Sequence, residues 1–125
     1  PMDGCFSCFK QYFAKGQHFT YDLDDIARYY KDYLRLMDFW NKFFPGSIHK
    51  VLYEDVINNS EEEVRKMLNY LQLPFEESCM DFYKSSRPVK TASSEQVRQP
   101  IYKSALNYWK NFENDLSVLS KYFNE

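Results

Sequence analysis

The chain has 125 residues and a formal net charge of −2, from 16 basic and 18 acidic side chains. That length fits one domain or part of one, and the balanced charge lacks the basic surface that DNA or RNA binding requires. Apolar residues make up 44% and aromatic residues 19% of the sequence, enough to bury a core and to exclude a disordered chain. No apolar run reaches the roughly 20 residues that would span a bilayer.

Three cysteines do not make a disulfide framework, and their number favours a reducing compartment. Only three glycines leave little room for tight hairpin turns, so helix should dominate. The chain opens at Pro1 without an initiator methionine, so we expect a fragment of a longer protein.

The first half of the sequence predicts two helices and a strand. Apolar residues at helical spacing predict a helix over 5–13, ended by Lys15-Gly16. Asp22 and Asp24 supply capping carboxylates for a second helix, whose apolar stripe runs from Ile26 to Trp40 and stops before Pro45. Residues 48–53 are short, apolar and partly β-branched, which predicts one buried strand.

The second half predicts further helices around one long loop. Ser60 and Glu63 have the spacing of a capping box and open a helix that Pro74 ends. Residues 75–83 predict a short helix, and helical stripes return after the loop over 105–112 and 116–123. One strand cannot form a sheet alone, since its backbone groups would be unpaired. The fold class we expect is therefore α/β, with residues 1–125 forming the C-terminal part of a single domain.

The long loop, residues 84–100, carries four cations and one anion and has no helical or strand period. Arg87, Lys90 and Arg98 bring positive charge, while Ser93 and Ser94 bring hydroxyl donors, a combination suited to a phosphate or sulfate group. A solvated surface loop is the alternative. Ser7 is a second candidate, because it is expected near the start of a helix, where free N–H groups attract anions; a simple capping serine is the alternative there.

Together these segments resemble the C-terminal half of a sulfotransferase domain. The resemblance rests on Asp3 and Ser7 at the first helix, on Leu52-Tyr53-Glu54-Asp55, on Leu71-x-Leu73-Pro74-Phe75-Glu76-Glu77, and on the run from Arg87 to Tyr102. The nearest groups are the tyrosylprotein sulfotransferases and the bacterial sulfotransferases that carry TPR repeats. The resemblance covers nearly the whole chain, and the run around Ser93 is its most specific part.

The resemblance implies a P-loop-like sulfotransferase fold, here a mostly helical fragment with one clear strand. It also implies an enzyme that transfers a sulfuryl group from 3'-phosphoadenylyl sulfate (PAPS) to an acceptor hydroxyl, leaving adenosine 3',5'-bisphosphate (PAP), without a metal. The acceptor stays open among a tyrosine in a protein, a carbohydrate and a small alcohol. The compartment would be the cytoplasm for a bacterial member and the Golgi lumen for a tyrosylprotein sulfotransferase. The sequence contains no Gly-x-x-x-x-Gly-Lys motif, so this chain alone should be inactive.

The resemblance also implies roles for individual residues, by their positions in the shared motifs. Ser7 would hold the 3'-phosphate, Tyr53 would lie against the nucleotide, and Ser93 would be the catalytic residue that stabilises the transition state. The run from Ser93 to Tyr102 would be the closing loop, which covers the donor. Gln11 and Tyr108 stand where relatives often have a basic residue. The full set expected at the donor site is Ser7, Gln11, Tyr53, Ser93, Ser94, Glu95, Gln96, Val97, Arg98, Gln99, Pro100, Ile101 and Tyr102.

Other functions remain open at this stage. A non-catalytic helical domain whose polar loop binds a partner protein would have the same composition, and so would a degenerate sulfotransferase relative that has lost transfer. Cys5 and Cys8 have the spacing of a redox pair, but their aromatic neighbours favour core packing.

Replacement of Ser93 by Ala tests the catalytic assignment. Loss of one preorganised donor to a charge-rich transition state lowers kcat by roughly 10²-fold to 10³-fold. We expect a fall of that size for Ser93→Ala in the complete enzyme, measured by steady-state sulfuryl transfer. An unchanged kcat would contradict the role given to Ser93.

Overall fold

A computed structural model describes residues 1–13, 15–91, 94–101 and 106–123 of the chain. Within these ranges the secondary structure is helical and contains no strand. The α-helices are α1 (Met2–Lys10), α2 (Leu23–Phe43), α3 (Tyr53–Asn58), α4 (Ser60–Tyr70) and α5 (Ser117–Phe123). Short 3₁₀ helices occur at His18–Tyr21, Glu77–Cys79, Phe82–Lys84, Gln96–Arg98 and Tyr108–Phe112.

The chain divides into two compact units. The first unit is Pro1–Ile48 with Ser104–Glu125, and the second is His49–Lys103. Among the described residues, no helix combines the length and the apolar character needed to cross a membrane.

The core of the first unit lies where α1, α2 and α5 meet. Its buried side chains come from these three helices and from Leu116, the residue just before α5: Met2, Cys5, Phe6, Ile26, Ala27, Leu116 and Leu119. Asp22 caps α2 as predicted, since its carboxylate accepts from the amides of Asp24 (2.8 Å) and Asp25 (3.0 Å). Tyr122 of α5 adds a polar link to α2, because its hydroxyl donates to Asp24 over 2.7 Å.

The Asp3 carboxylate joins α1 to the distant C-terminal segment. One oxygen accepts from the amide of Asn107 over 2.8 Å, and the other accepts from the amide of Trp109 over 3.1 Å. These amides lie at the start of the 3₁₀ helix Tyr108–Phe112, where N–H groups have no partner within the helix. Asp3 therefore caps a helix more than 100 residues away in sequence.

The C-terminal half of α2 is mostly uncovered. Phe39, Trp40, Phe43 and Phe44 contact one another, with ring centroids 4.4–5.6 Å apart. Each of the four is nevertheless more than a third exposed, and Phe43 is 64% exposed. The apolar stripe that packs in the first half of α2 thus continues as an exposed aromatic surface.

In the second unit, α3 and α4 form a pair of short helices. Ile57 of α3 is buried, and the Ser60 hydroxyl donates to the carbonyl of Val56 over 2.7 Å. At the end of α4, Gln72 takes a left-handed conformation (φ 57°), and the amide of Leu73 donates to the carbonyl of Leu68 over 2.9 Å. This is a Schellman cap, and Pro74 follows it directly.

The predicted strand over 48–53 is wrong. The backbone of Leu52 is extended (φ −93°, ψ 129°), but Tyr53 already begins α3. A strand needs a neighbour to pair its backbone groups, and the described part of the chain offers none. Glu54 and Asp55, in the first turn of α3, instead favour a helix start.

Other predicted boundaries also shift. The first helix begins at Met2 and ends at Lys10 instead of covering 5–13. Residues 75–83 form two 3₁₀ turns, because the segment is too short to offset the cost of nucleating an α-helix.

The predicted capping box at the start of α4 is absent. Ser60 follows the N-cap Asn59, and its hydroxyl donates back to the carbonyl of Val56 in α3. The segment over 105–112 is a 3₁₀ helix that begins at Tyr108, while Ala105 lies outside the described residues.

Loss of the Asp3 carboxylate should destabilise the first unit. Hydrogen bonds to a charged acceptor contribute about 1.5–3 kcal/mol each, and Asp3→Ala removes two of them, so we expect a loss of about 3 kcal/mol in the free energy of unfolding, the low end of their sum. Urea denaturation followed by circular dichroism measures it. Asp38→Ala is the matched control, because its pair with Lys42 is an exposed helix pair worth about 0.5 kcal/mol or less. Equal losses in the two variants would contradict the capping role.

Candidate functional site: a helix face and a loop-lined cleft

The first part of the predicted site lies on α1. Ser7 is exposed and is the sixth residue of a helix that begins at Met2. The expectation that it stands at a helix start is therefore wrong, since an N–H group at this depth bonds within the helix. Gln11 follows as the C-cap, and its side-chain amide donates to the carbonyl of Tyr12 over 3.4 Å. A ligand at this face would meet side chains and not free backbone amides.

The same unit holds Lys10 against two aromatic rings. Its ammonium lies 4.2 Å from the ring centroid of Tyr108 and 4.9 Å from that of Phe6. Phe6 is buried and contacts Tyr108 and Phe112, with centroids 6.1 Å and 5.0 Å away. The rings fix the position of the ammonium at the end of α1.

The second part of the predicted site is a cleft of about 240 Å³ in the second unit. Tyr53, half exposed at the first position of α3, lines one side of it. The other lining residues come from α3, from the 3₁₀ turn Phe82–Lys84 and from the predicted closing loop: Val56, Ile57, Phe82, Gln96, Val97, Gln99, Pro100 and Ile101. The structure thus brings Tyr53 together with five residues of the predicted loop.

Arg98 shapes this loop from within. Its guanidinium donates to the carbonyl of Arg87 over 2.6 Å and also to the carbonyl of Ser85. The backbone adds 3₁₀ bonds, including the amide of Arg98 to the carbonyl of Glu95 over 3.2 Å. In this structure Arg98 ties residues 96–99 to the preceding segment, which positions Val97 and its neighbours at the cleft.

The remaining predicted residues divide into two groups. Ser94 and Glu95 lie in the turn before Gln96–Arg98 and do not line the cleft. Ser93 and Tyr102 lie outside the described residues. Arg87 and Lys90 form no ion pair with any described carboxylate, so their charge is available to an anion.

Sequence reasoning missed three residues of the cleft. Val56 and Ile57 follow Tyr53 at helical spacing and would have been placed beside it by a helix at 53–58. The incorrect strand hid this relation. Phe82 has no comparable signal, because its position depends on two consecutive 3₁₀ turns.

Three other features of the described residues provide no candidate site. Burial raises the pKa of the Cys5 thiol to about 11, so Cys5 is protonated at neutral pH and is a poor nucleophile. In the described part of the chain, no group of three or more His, Cys, Asp or Glu side chains could hold a metal ion. A depression of about 530 Å³ is lined only by residues of α2, so no second element converges on it.

Replacement of Arg98 by Lys separates its charge from its two carbonyl bonds. Lys keeps the charge but lacks the planar fork that reaches two acceptors, so the loop should open more often. We expect roughly threefold to tenfold faster amide hydrogen exchange over 94–101, because an exposed bond contributes about 1 kcal/mol. Arg87→Lys is the matched control and should leave the exchange unchanged. Equal exchange in wild type and Arg98→Lys would show that these bonds do not hold the loop.

The sequence of the chain is similar to those of several known proteins. An uncharacterized protein of Aquifex aeolicus is 35% identical over 128 residues, which covers 99% of this chain and 17% of that protein. Two WSCD family members, from Drosophila melanogaster and Drosophila pseudoobscura pseudoobscura, are 42% and 39% identical over 41 residues, which covers 33% of this chain and 13% of each relative. The chain thus spans 17% or less of the length of these three relatives. No solved structure matches it.

The decisive match is to a protein family. The profile of the sulfotransferase family matches residues 1–77, more than half of the chain. This range contains Ser7, Gln11 and Tyr53, and it ends before the loop over 84–100. The chain belongs to the sulfotransferase family.

Proposed function

We propose that this chain is part of a PAPS-dependent sulfotransferase and contributes one wall of its donor site. The observation that carries the proposal is the cleft that Tyr53 shares with Gln96, Val97 and Ile101. Family membership makes a sulfuryl donor the expected ligand. Residues 1–125 would then form the C-terminal part of a single sulfotransferase domain with a P-loop-like α/β fold, whose strands come from the rest of the domain.

The chemistry of the cleft suits the ring of a nucleotide. The aromatic side chains of Tyr53 and Phe82 and the aliphatic side chains of Val97 and Ile101 can pack against a planar base. Gln96 and Gln99 bring amides that both donate and accept hydrogen bonds. At about 240 Å³ the cleft is smaller than the roughly 300–1,000 Å³ of pockets that enclose a whole ligand. It would hold one ring of the donor and leave the rest to other walls.

The transfer itself would be an in-line displacement at sulfur. The bond from sulfur to the bridging phosphate oxygen breaks, and a bond from sulfur to the acceptor oxygen forms. The acceptor hydroxyl gives its proton to a base, and PAP leaves with the electrons of the broken bond. Such a loose transition state depends on positioning and on preorganised donors, the role proposed for Ser93. The acceptor would be a hydroxyl compound, with tyrosine in a protein as one candidate.

Binding of PAP tests this function directly. In the protein with its complete sulfotransferase domain, calorimetric titration should show binding of PAP that is at least tenfold tighter than binding of AMP. Ile101→Ala removes apolar contact from the cleft and should weaken PAP binding about threefold to tenfold. Leu71→Ala is the matched control in the same unit, since Leu71 is exposed and does not line the cleft.

Two results would contradict the proposal. Equal affinity for PAP and AMP would remove the donor assignment and favour the helical interaction domain. Unchanged PAP affinity in Ile101→Ala, with the fold intact by circular dichroism, would place the nucleotide outside this cleft.

A further inference from the structure

The exposed half of α2 carries a regular apolar repeat. Its large apolar side chains alternate three and four positions apart and continue the register of the buried Ile26: Tyr29, Tyr33, Leu36, Trp40 and Phe43. This alternation is typical of a helix that packs lengthwise along another helix. We call these five residues the α2 seam.

Most of the α2 seam is uncovered among the described residues. From Asp32 to Phe43, every residue of α2 except Met37 is exposed, and the five seam side chains are 38–64% exposed. Only the first of them has a ring stacked closely on it, since the centroids of Tyr29 and Phe19 are 3.9 Å apart. A continuous apolar row in water is typical of an interaction surface.

The charged side chains beside the seam neutralise one another. Arg35 pairs with Asp32, and Lys42 pairs with Asp38 over 2.7 Å. Both pairs form within the helix, at a spacing of three or four residues. A partner for the seam therefore needs an apolar surface and no compensating charge.

The length of the seam favours a second copy of the same helix. From Tyr29 to Phe43 the seam spans about 21 Å at the rise of an α-helix. The α2 helix has 21 residues, whereas the other α-helices of the described ranges have between 6 and 11. Among the described residues, a helix that matches α2 in length and in repeat exists only on another molecule of the chain.

The exposed area is enough for a weak pair. The seam together with Phe39 and Phe44 offers seven large side chains, each about half exposed, and a large aromatic side chain buries roughly 200 Å². Two copies could thus bury roughly 1,400 Å², within the range of about 1,200–2,000 Å² for specific interfaces. Because the repeat covers only about two heptads, we expect a Kd of roughly 1–100 μM.

We propose that two copies of this chain pair through their α2 seams about a two-fold axis. In such a pair the same surface is used on both molecules, so Leu36, in the middle of the seam, lies beside its counterpart. None of the seam residues lines the cleft, so the pairing does not depend on the donor site.

Sedimentation velocity of the protein with its complete sulfotransferase domain tests the pairing. We expect a monomer–dimer equilibrium at micromolar concentrations. Leu36→Glu would place two carboxylates together in an apolar seam, so the Kd should rise about 100-fold or more. Leu36 is 49% exposed, so the variant should fold, which circular dichroism checks.

Leu34→Glu is the matched control. Leu34 is 46% exposed on the same helix, but it lies two positions from Leu36 and so faces another direction. Its Kd should stay within about twofold of wild type, as for other surface substitutions. Leu36→Lys should be monomeric alone, whereas an equimolar mixture of Leu36→Glu and Leu36→Lys should dimerise, because opposite charges then face each other.

Three results would overturn the proposal. A wild-type protein that stays monomeric throughout the micromolar range would show that another part of the domain covers the seam. Equal weakening by Leu36→Glu and Leu34→Glu would place the contact elsewhere. A monomeric mixture of Leu36→Glu and Leu36→Lys would show that Leu36 does not meet its counterpart. Each of these results leaves the proposed function in place, since that is tested by the binding of PAP and AMP.

Discussion

The first unit depends on one carboxylate. Asp3, in the first turn of α1, accepts hydrogen bonds from the amides of Asn107 and Trp109 and so fixes two ends of the sequence against each other. Between those amides stands Tyr108, whose ring lies against Phe6. The same contact that joins α1 to the C-terminal segment therefore sets the surface on which Lys10 lies. The link between α1 and the C-terminal segment and the position of the Lys10 ammonium therefore have one cause.

In the second unit a positively charged side chain, Arg98, plays a role comparable to that of Asp3. The Arg98 guanidinium spans the carbonyls of Ser85 and Arg87, so a loop with little apolar burial takes a defined path. Val97 and Gln99, on either side of Arg98, then face the cleft that Tyr53 lines. In each unit a single charged side chain, bonded to backbone groups far along the chain, fixes the path of a segment.

Local patterns in the sequence predicted the long helices well. The apolar stripes and the Asp22 cap located α2, and the Pro74 boundary located the end of α4. The strand over 48–53 failed because strand formation depends on a partner, which a local pattern does not reveal. The hydrogen bonds of Asp3 and Arg98 could not be predicted from the sequence either. Their partners are backbone amides and carbonyls, which occur at every position and so leave no signal in the sequence.

The candidate site was predictable only through resemblance. Tyr53 and the loop over 96–101 were assigned to one donor site from their likeness to a family, and the structure brings them to one cleft. Whether they bind a nucleotide there remains a prediction, as do the roles of Ser7 and Gln11. Lys10 had no motif to mark it, because its position depends on the packing of Phe6 and Tyr108.

The exposed aromatic end of α2 has a consequence for handling the protein. Phe39, Trp40, Phe43 and Phe44 present adjacent rings to water, and a net charge of −2 supplies little mutual repulsion between molecules. Molecules of the isolated chain should therefore adhere to one another through this end as their concentration rises. The tendency of the chain to self-associate will therefore depend on a surface that supplies no residue to the cleft.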